Sequence, residues 1–355
     1  MNNRIDRIRN LLKEKDLDAV ILSKTENKMY SSGFTGTAGD VFISKGKAML
    51  YTDFRYMEQA KNQCKDYEII EISKQKPIYD ELNRLELSKL GFEDDFVTFA
   101  DYKKYEKKLD NVELVPLNGA ITKIRSIKFD NEIALIEKAA SITDDALDYI
   151  MKFIKPGVSE LSIAIELEHY MKMQGAEKNS FDFIVASGKR SALPHGRATE
   201  KIIEDGDMFT LDFGCVYKGY CSDMTRSFVI GKATDKQKEI YNVVLEAQLK
   251  ALNSVKPGIT GIELDKIARD LITKKGYGEN FGHGLGHGLG LEVHELPHIN
   301  ILGDVKMEPG MIITIEPGVY ISGYGGVRIE DLVLVTETGF RVLSKSSKEL
   351  LELNV

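Results

Sequence analysis

The sequence predicts a protein of the α/β (or α+β) class, with a small N-terminal α/β domain at residues 1–122 and a larger domain at residues 123–355. Three observations predict this organisation. The length of 355 residues favours two domains at about 150 residues each. Short strand-like runs alternate with helical patterns through residues 1–118, and the remainder contains one helix-bearing segment twice.

The first domain is predicted from its alternation of elements. A charged amphipathic helix leads into a strand at residues 19–22, and residues 40–53 form a hairpin around the polar turn SKGK. A helix follows from Arg55, the run YEIIEI forms a further strand, and two more helices fall near residues 78–89 and 101–109. Such alternation is typical of a small sheet covered by helices.

The second domain is predicted from an internal duplication. After a linker at residues 116–132, apolar side chains recur with helical period from Glu132. The segment KPGVSELSIAIELEHYMKMQGAEKN begins at Lys155 and aligns without gaps with KPGITGIELDKIARDLITKKGYGEN, which begins at Lys256. Each copy opens with Pro-Gly, carries a helix that follows another helix, and precedes strand-like segments. Two such halves in tandem predict one pseudo-twofold domain, a sheet backed by helices.

Composition and charge exclude several functional classes. The net charge of −7 disfavours a nucleic-acid partner held through phosphates. The N-terminus lacks the apolar core of a signal peptide, and no run approaches the ~20 apolar residues of a membrane span. The three cysteines, Cys64, Cys215 and Cys221, have no paired spacing and are interpreted as free thiols. These features predict a cytoplasmic protein without a membrane or nucleic-acid partner.

Acidic residues stand where the strands of the second domain should be apolar. Asp212 lies within FTLDFG, and Asp223 begins CSDMTRSFVI. Glu316 lies in TIEPGVY, and Glu330 lies in VRIEDLVLV, where it shares one face of its strand with Arg328. An unpaired buried charge is very costly, so acids in such positions coordinate a metal or pair with a base. Hairpin-like spacing places Asp212 and Asp223 at one end of a sheet.

Each of these acids alone has an ordinary explanation as a cap, a salt bridge or a turn residue. Two neighbours are interpreted as plain surface residues. Asp331, beside Glu330, is expected to be solvated, and His169 is expected on an exposed helix face. The acids become informative through their order and through the histidines that lie among them.

Four of the six histidines fall in HGLGHGLGLEVHELPHI, residues 283–299. They are His283, His287, His294 and His298. His283 and His287 have the spacing of a zinc-binding helix, but the surrounding glycines each cost a helix about 1 kcal/mol relative to alanine. The stretch is therefore predicted to be extended, with glycine letting the backbone run close to neighbouring groups.

Four carboxylates at one site repel one another strongly and require positive charge nearby. Two divalent ions balance the four negative charges, and a neutral imidazole completes a donor set that is mostly oxygen. Such a set suits Mn²⁺, Co²⁺ or Zn²⁺ and excludes soft thiolate chemistry. Two ions about 3.5–4 Å apart can share a hydroxide and polarise a carbonyl, which is hydrolase chemistry.

The ordered set Asp212, Asp223, His287, Glu316 and Glu330 resembles the five-ligand signature of the pita-bread dinuclear metallopeptidases, which include methionine aminopeptidase, aminopeptidase P and prolidase. The motifs LDFG…YCSDMTRSF, GHGLGHGLGLEVHE, MIITIEPGVY and GVRIEDLVLV look like the Xaa-Pro peptidase branch. YSSGFTGTAG and YTDFRYMEQA resemble the creatinase-type N-terminal domain of that branch. The resemblance implies a pita-bread catalytic domain after the N-terminal domain.

The resemblance also implies a role for each ligand. Asp212 would chelate one metal ion, His287 and Glu316 would bind the other, and Asp223 and Glu330 would bridge the pair. Mn²⁺ is the first expectation for both ions, with Co²⁺ and Zn²⁺ as alternatives. A carboxylate, Glu316 or Glu330, would carry the proton of the hydroxide to the leaving nitrogen, and the sequence does not choose between them.

Further side chains are expected to act on the substrate. By resemblance, His195 in SALPHG would contact the substrate near the metals, and His283 would line its pocket. His294 would hydrogen-bond the peptide carbonyl or the tetrahedral intermediate. Arg328 would couple to the His294 region and to the proline-side pocket. His298 has no role in the family pattern, and both a pocket wall and a surface loop stay open for it.

The implied function is hydrolysis of the Xaa-Pro bond at the N-terminus of proline-containing peptides by a hydroxide that bridges two divalent ions. The alternative is an Xaa-Pro dipeptidase (prolidase), which needs a cation for the free carboxylate of proline. Arg328 is the one arginine that the sequence places near the site, so the open pocket of an aminopeptidase is favoured. A non-catalytic peptide-binding relative is disfavoured because all five ligands are present, and a homodimer is implied by resemblance alone.

Overall fold

The computed structural model describes residues 3–353, and the chain divides into two compact units, Met1–Arg125 and Ser126–Val355. The elements of the first unit are α1 (Asn3–Glu14), β1 (Ala19–Leu22), α2 (Thr25–Ser32), β2 (Asp40–Ser44), β3 (Ala48–Thr52), a 3-10 turn (Phe54–Tyr56), α3 (Met57–Gln63), β4 (Glu68–Glu71), α4 (Ile78–Asn83), β5 (Lys89–Phe92), α5 (Phe99–Lys108), β6 (Glu113–Pro116) and α6 (Ala120–Ser126). The six strands form one mixed sheet in the order β4-β3-β2-β1-β5-β6.

Strand β1 lies in the middle of this sheet, antiparallel to β2 and parallel to β5. Its side chains are buried on both faces, since Val20 and Leu22 belong to one core cluster and Ala19 and Ile21 belong to another. A strand covered on both faces has a continuous apolar sequence, which is why AVIL is recognisable. The predicted strand and the hairpin that follows it in the chain are both confirmed.

Two predictions for this part of the chain are wrong in extent. The helix expected near residues 78–89 ends at Asn83. Strand β5 already begins at Lys89, because this segment pairs with β1. The linker expected at residues 116–132 contains α6, whose Ile121 is buried in the core of the first unit. Packing against distant strands decides both segments, and the local pattern does not show it.

The second unit contains two helix pairs, each followed by strands. Its elements are α7 (Asp130–Ile150), α8 (Glu160–Met173), β7 (Lys178–Asn179), β8 (Ile184–Ser187), a 3-10 turn (Gly188–Ala192), β9 (Met208–Phe213), β10 (Cys215–Tyr217), β11 (Tyr220–Cys221), β12 (Met224–Ile230), α9 (Asp235–Leu252), α10 (Gly261–Lys274), a 3-10 turn (Gly278–Asn280), β13 (Gly286–Gly288), β14 (Glu295–Ile299), β15 (Ile312–Ile315), β16 (Gly318–Ile321), β17 (Gly325–Arg328), β18 (Asp331–Val335), β19 (Phe340–Val342) and β20 (Glu352–Leu353). Among residues 3–353, no helix has the length and apolar character needed to cross a membrane.

The two halves of this unit repeat one arrangement, as the duplication predicts. Helices α7 and α8 share a core with the sheet β20-β12-β9-β8, in which Ile142, Leu167 and Phe209 are fully buried. Helices α9 and α10 share a core with the sheet β14-β13-β15-β18-β19, in which Val244 and Ile313 are fully buried. The α/β class and the duplicated helix-and-sheet halves are confirmed.

One predicted strand is two strands. The segment GVRIEDLVLVTE contains β17 and β18, which belong to different sheets, and Ile329 and Glu330 lie in the break between them. Arg328 and Glu330 still approach a common group, since both hydrogen-bond the hydroxyl of Thr225. The break places Glu330 at a strand end, where its carboxylate reaches the site described next.

Candidate active site

Asp212 and Asp223 are carried by neighbouring strands. Strands β9 and β12 pair antiparallel with Asp212 opposite Thr225, and Asp223 stands directly before β12. The hairpin of β10 and β11 occupies the chain between them. The two carboxylates therefore lie at the same end of the sheet, as their spacing predicts.

Three further candidate ligands reach this place from the second half of the unit. Glu316 follows β15, Glu330 lies between β17 and β18, and His287 is the middle residue of β13. His287 Nε2 lies 3.3 Å from Glu316 Oε1 and 3.7 Å from Asp223 Oδ2. One ligand atom each of Asp223, His287 and Glu330 lie within 4.8 Å of one another. Residues from both halves of the second unit thus meet at one point.

One cavity of about 460 Å³ is lined by all the side chains that the sequence analysis singled out for the site. They are Asp212, Asp223, His287, Glu316, Glu330, His195, His283, His294 and Arg328. His298 lines the same cavity, so it forms part of the pocket wall. The wall also includes Asp182 and Arg197, which the sequence analysis missed.

The chemistry of the five candidate ligands fits divalent metal ions. Asp212 Oδ1 and Glu330 Oε1 are buried, and neither has a hydrogen-bond partner within the described part of the chain. A buried carboxylate oxygen without a partner is costly, and a metal ion would satisfy it. Four carboxylates and one imidazole also form the oxygen-rich donor set that Mn²⁺, Co²⁺ and Zn²⁺ accept.

The carboxylates carry more negative charge than the surrounding residues balance. Burial is the main cause of the raised pKa of Asp212, Asp223 and Glu330, and nearby carboxylates raise the pKa of each further. Burial opposes ionisation of Glu316 as well, but the hydrogen bond and charge of His287 lead the effects that lower its pKa to about 2. Positive charge at this point would therefore stabilise the ionised ligands.

The imidazole of His287 turns Nε2 toward the carboxylates. Its Nδ1 lies 3.0 Å from the carbonyl oxygen of Gly288, which can only accept a hydrogen bond, so Nδ1 carries a proton. Burial lowers the pKa of His287, but Glu316, the carbonyl of Gly288 and Asp212 together outweigh burial, and the net pKa is raised. A metal ion would compete with the second proton for Nε2. An Nδ1–H anchored on a carbonyl is the usual outer support of a metal-ligating histidine.

Arg328 is buried behind the ligands and orients two of them. Its Nη2 donates to Asp212 Oδ2 at 2.5 Å, and its Nε donates to Thr225 Oγ1 at 3.1 Å. Thr225 in turn donates to Glu330 Oε2 at 2.7 Å. The expected coupling of Arg328 to the His294 region and to the proline-side pocket stays a prediction; the bonds named here run to the ligand side, because β17 packs against β9 and β12.

Tyr320 completes this network, and sequence reasoning missed it. Its hydroxyl accepts a hydrogen bond from Arg328 at 2.7 Å and lies 2.9 Å from His283 Nε2. Since His283 Nδ1 donates to the carbonyl of Gly284 at 2.7 Å, Tyr320 donates to Nε2. Burial lowers the pKa of His283, which favours this neutral ring. The available signal was the tyrosine of EPGVY, but an aromatic residue in a strand is usually a core residue.

His294 borders the ligands from the cavity side. Its ring meets that of His287 edge to face, with centroids 4.3 Å apart. Burial, followed by the charge of His287, lowers the pKa of His294. A neutral imidazole here can donate one hydrogen bond to a group inside the cavity.

The glycines on either side of His287 are required by close backbone contacts. A Cβ on Gly286 would lie 2.1 Å from the carbonyl oxygen of Thr314, and a Cβ on Gly288 would lie 2.1 Å from that of Leu296. Strand β13 fits between β14 and β15 only without side chains at these two positions. The glycine-rich stretch is therefore not helical, as predicted: it forms β13 and β14 with a bend between them, and the glycines permit the close packing that places His287.

We expect Gly288→Ala to displace β13 and to weaken both folding and metal binding. Overpacking a dense interior costs about 1–3 kcal/mol, and the obstacle here is backbone that cannot rotate away. Gly282→Ala is the matched control, because a Cβ there meets nothing within 4 Å. Thermal melts and Mn²⁺ titration of both variants check this, and equal behaviour of the two variants would contradict it.

Asp331 is buried, so the expectation that it is solvated is wrong. Its side chain is 1% exposed and forms ion pairs with Arg226 and Lys348. Two cationic partners satisfy this carboxylate, whereas Glu330 beside it keeps one oxygen without a partner in the described residues. His169 lies on the exposed face of α8, as predicted.

Comparison with known proteins gives the same picture. Residues 134–337 match metallopeptidase family M24, and residues 4–127 match the creatinase/prolidase N-terminal domain. The structure of the Xaa-Pro dipeptidase from Bacillus anthracis superposes with a TM-score of 0.95 at 50% identity, covering 99% of both chains. The Xaa-Pro dipeptidase of Pyrococcus horikoshii is 43% identical over 99% of each chain. The X-Pro aminopeptidase structure from Thermotoga maritima MSB8 has a TM-score of 0.91 at 37% identity, covering 98% of this chain and 99% of that one.

The family match spans more than half of the chain, and these relatives span nearly all of it. The larger unit has the pita-bread fold that the sequence resemblance implies. The chain therefore belongs to metallopeptidase family M24 and is a peptidase that depends on divalent metal ions.

Proposed function

We propose that the enzyme hydrolyses the Xaa-Pro bond at the N-terminus of proline-containing peptides and uses two divalent metal ions. One observation carries the proposal: five candidate ligands meet in a cavity that four further histidines line, and two of these ligands have buried oxygens without a hydrogen-bond partner among residues 3–353. The names of two relatives support an Xaa-Pro peptide as the substrate: the solved structures at 50% and 37% identity are those of an Xaa-Pro dipeptidase and an X-Pro aminopeptidase.

The metal ions would be held by Asp212, Asp223, His287, Glu316 and Glu330. When bound, the ions supply an activated water and polarise the scissile carbonyl. Glu316 or Glu330 would accept the proton of the attacking water and pass it to the leaving nitrogen. Arg328 would keep Asp212 in place through its hydrogen bond, and Thr225 would do the same for Glu330.

The other side chains of the cavity would bind the peptide. His294 would donate a hydrogen bond to the scissile carbonyl oxygen as negative charge develops there. His195 would contact the substrate, and His283, whose Nε2 lies 2.9 Å from the Tyr320 hydroxyl, would form a wall against the proline ring. The nitrogen of the scissile Xaa-Pro bond carries no hydrogen and cannot donate a hydrogen bond. The metal ions and His294 would act on the carbonyl group of that bond.

Restriction to dipeptides is the second candidate function. Arg197 favours it, because it adds a second arginine to the cavity, and a dipeptidase needs a cation for the proline carboxylate. The names of the Bacillus anthracis and Pyrococcus horikoshii relatives favour it as well. We also propose Mn²⁺ as the physiological ion and a homodimer as the assembly, both on the basis of family resemblance.

Measuring kcat/KM on Ala-Pro, Ala-Ala and Ala-Pro-Ala with the Mn²⁺ enzyme tests both candidates. We expect cleavage of Ala-Pro and of the first bond of Ala-Pro-Ala at rates within about tenfold of each other, since an exposed cation contributes little. Ala-Ala should be a poor substrate. A dipeptide preference of about a hundredfold, the effect of a desolvated charge pair, would favour the dipeptidase. Equal cleavage of Ala-Ala would overturn the proline specificity.

A further inference from the structure

An exposed ion pair lies on the wall of the catalytic cavity. Arg197 Nη2 is 2.8 Å from Asp182 Oδ2, and the two side chains are 74% and 68% exposed. Both residues line the cavity that the candidate ligands line. An ion pair this exposed contributes about 0–1 kcal/mol to stability, so its partners are free to exchange.

The other charged groups on the cavity wall cannot bind a substrate carboxylate. Four of them are the carboxylates of the candidate metal centre, of which Asp212, Asp223 and Glu330 are buried and Glu316 is partly buried. The remaining cation, Arg328, is 3% exposed and is already bonded to Asp212, Thr225 and Tyr320. Among the described residues that line the cavity, Arg197 is therefore the one cation with an exposed guanidinium.

The backbone of Arg197 is fixed while its side chain extends into solvent. Its N–H donates to the carbonyl of His195 at 2.9 Å, and its own carbonyl accepts from Arg190 at 2.6 Å. An isolated bridge to Ile184 joins the same residue to β8. The guanidinium thus starts from a defined point, two residues from a histidine of the cavity, and can swing by rotation of its side chain alone.

We propose that Arg197 leaves Asp182 to bind the free carboxylate of substrates that end at the proline. The exchange replaces one carboxylate by another in bidentate geometry, which the planar guanidinium favours. Asp182 holds the guanidinium at the cavity wall when no substrate is present. The inference rests on the proposed function, because it names the part of an Xaa-Pro dipeptide that Arg197 recognises.

The test compares Ala-Pro with Ala-Pro amide, which differ in the charge at the recognised end. We expect Arg197→Gln to lower kcat/KM for Ala-Pro about tenfold, mainly through KM, which is the scale of a partly exposed charge-assisted hydrogen bond. The kcat/KM for Ala-Pro amide should change by less than about twofold, because the amide has no carboxylate for Arg197 to bind. Arg197→Lys should recover part of the lost activity on Ala-Pro.

Two further variants separate this role from a structural one. Asp182→Asn removes the competing carboxylate and should lower KM for Ala-Pro without a matching gain for the amide. Lys266→Gln is the control, because Lys266 forms an ion pair with Asp270 outside the cavity and the two side chains are similarly exposed, at 69% and 62%. This variant should change kcat/KM for neither substrate.

The outcomes also distinguish this inference from the proposed function. If wild-type enzyme cleaves both substrates but Arg197→Gln slows them equally, the carboxylate role is overturned and the proposed function stands. If wild-type enzyme cleaves neither Ala-Pro nor its amide, the proposed function itself fails.

Discussion

Asp223→Asn and Glu330→Gln should each reduce turnover on Ala-Pro by about a thousandfold or more, which corresponds to about 4 kcal/mol of lost transition-state stabilisation. Each substitution keeps the size of the side chain and removes one charge from the group of buried carboxylates. Loss of an outer support around a metal costs only about ten- to a hundredfold, so removal of a ligand should cost more. Single-turnover assays at saturating Mn²⁺ measure the effect.

His169→Ala is the control, because this residue is exposed on α8 and has no place in the cavity. It should leave turnover within about twofold of the wild type, as surface changes usually do. Metal content should fall in the two ligand variants and stay unchanged in the control. Equal losses in all three variants would mean that the acids maintain the fold and do not act as ligands.

Removal of metal by a chelator should abolish activity and lower the melting temperature. Without ions, the four carboxylates repel one another in a buried site, and two of their oxygens lack partners within residues 3–353. At a free concentration about a hundredfold above its Kd, each ion would stabilise the folded enzyme by about 2.7 kcal/mol. Mn²⁺ or Co²⁺ should restore both properties best. Unchanged melting and full activity in a chelator would contradict this.

The fold could be predicted where the pattern follows from local burial. Strand β1 has a continuous apolar sequence because it is covered on both faces, and the duplicated helices show apolar stripes because one face of each is buried. Strand β5 and helix α6 were missed because their burial depends on strands far away in sequence. No local periodicity carries that information.

The candidate ligands could be predicted because acids interrupt apolar strands, and a buried charge needs an explanation. The same rule does not say which partner satisfies the charge. Glu330 and Asp331 are adjacent and equally buried, yet Asp331 pairs with cations from two other segments. Tyr320 and Arg197 were missed for a related reason, since their roles depend on groups that only the tertiary structure brings near.

The central claim is that two divalent ions in this cavity carry out the hydrolysis, and titration of metal-free enzyme with Mn²⁺ tests it most directly. Bound metal is counted by elemental analysis while proline release from Ala-Pro is followed in the same samples. The account predicts that activity rises with metal content and reaches its plateau at two ions per chain, and that Asp223→Asn reaches neither that metal content nor that activity. Full activity in a sample with no stoichiometric metal would contradict the account.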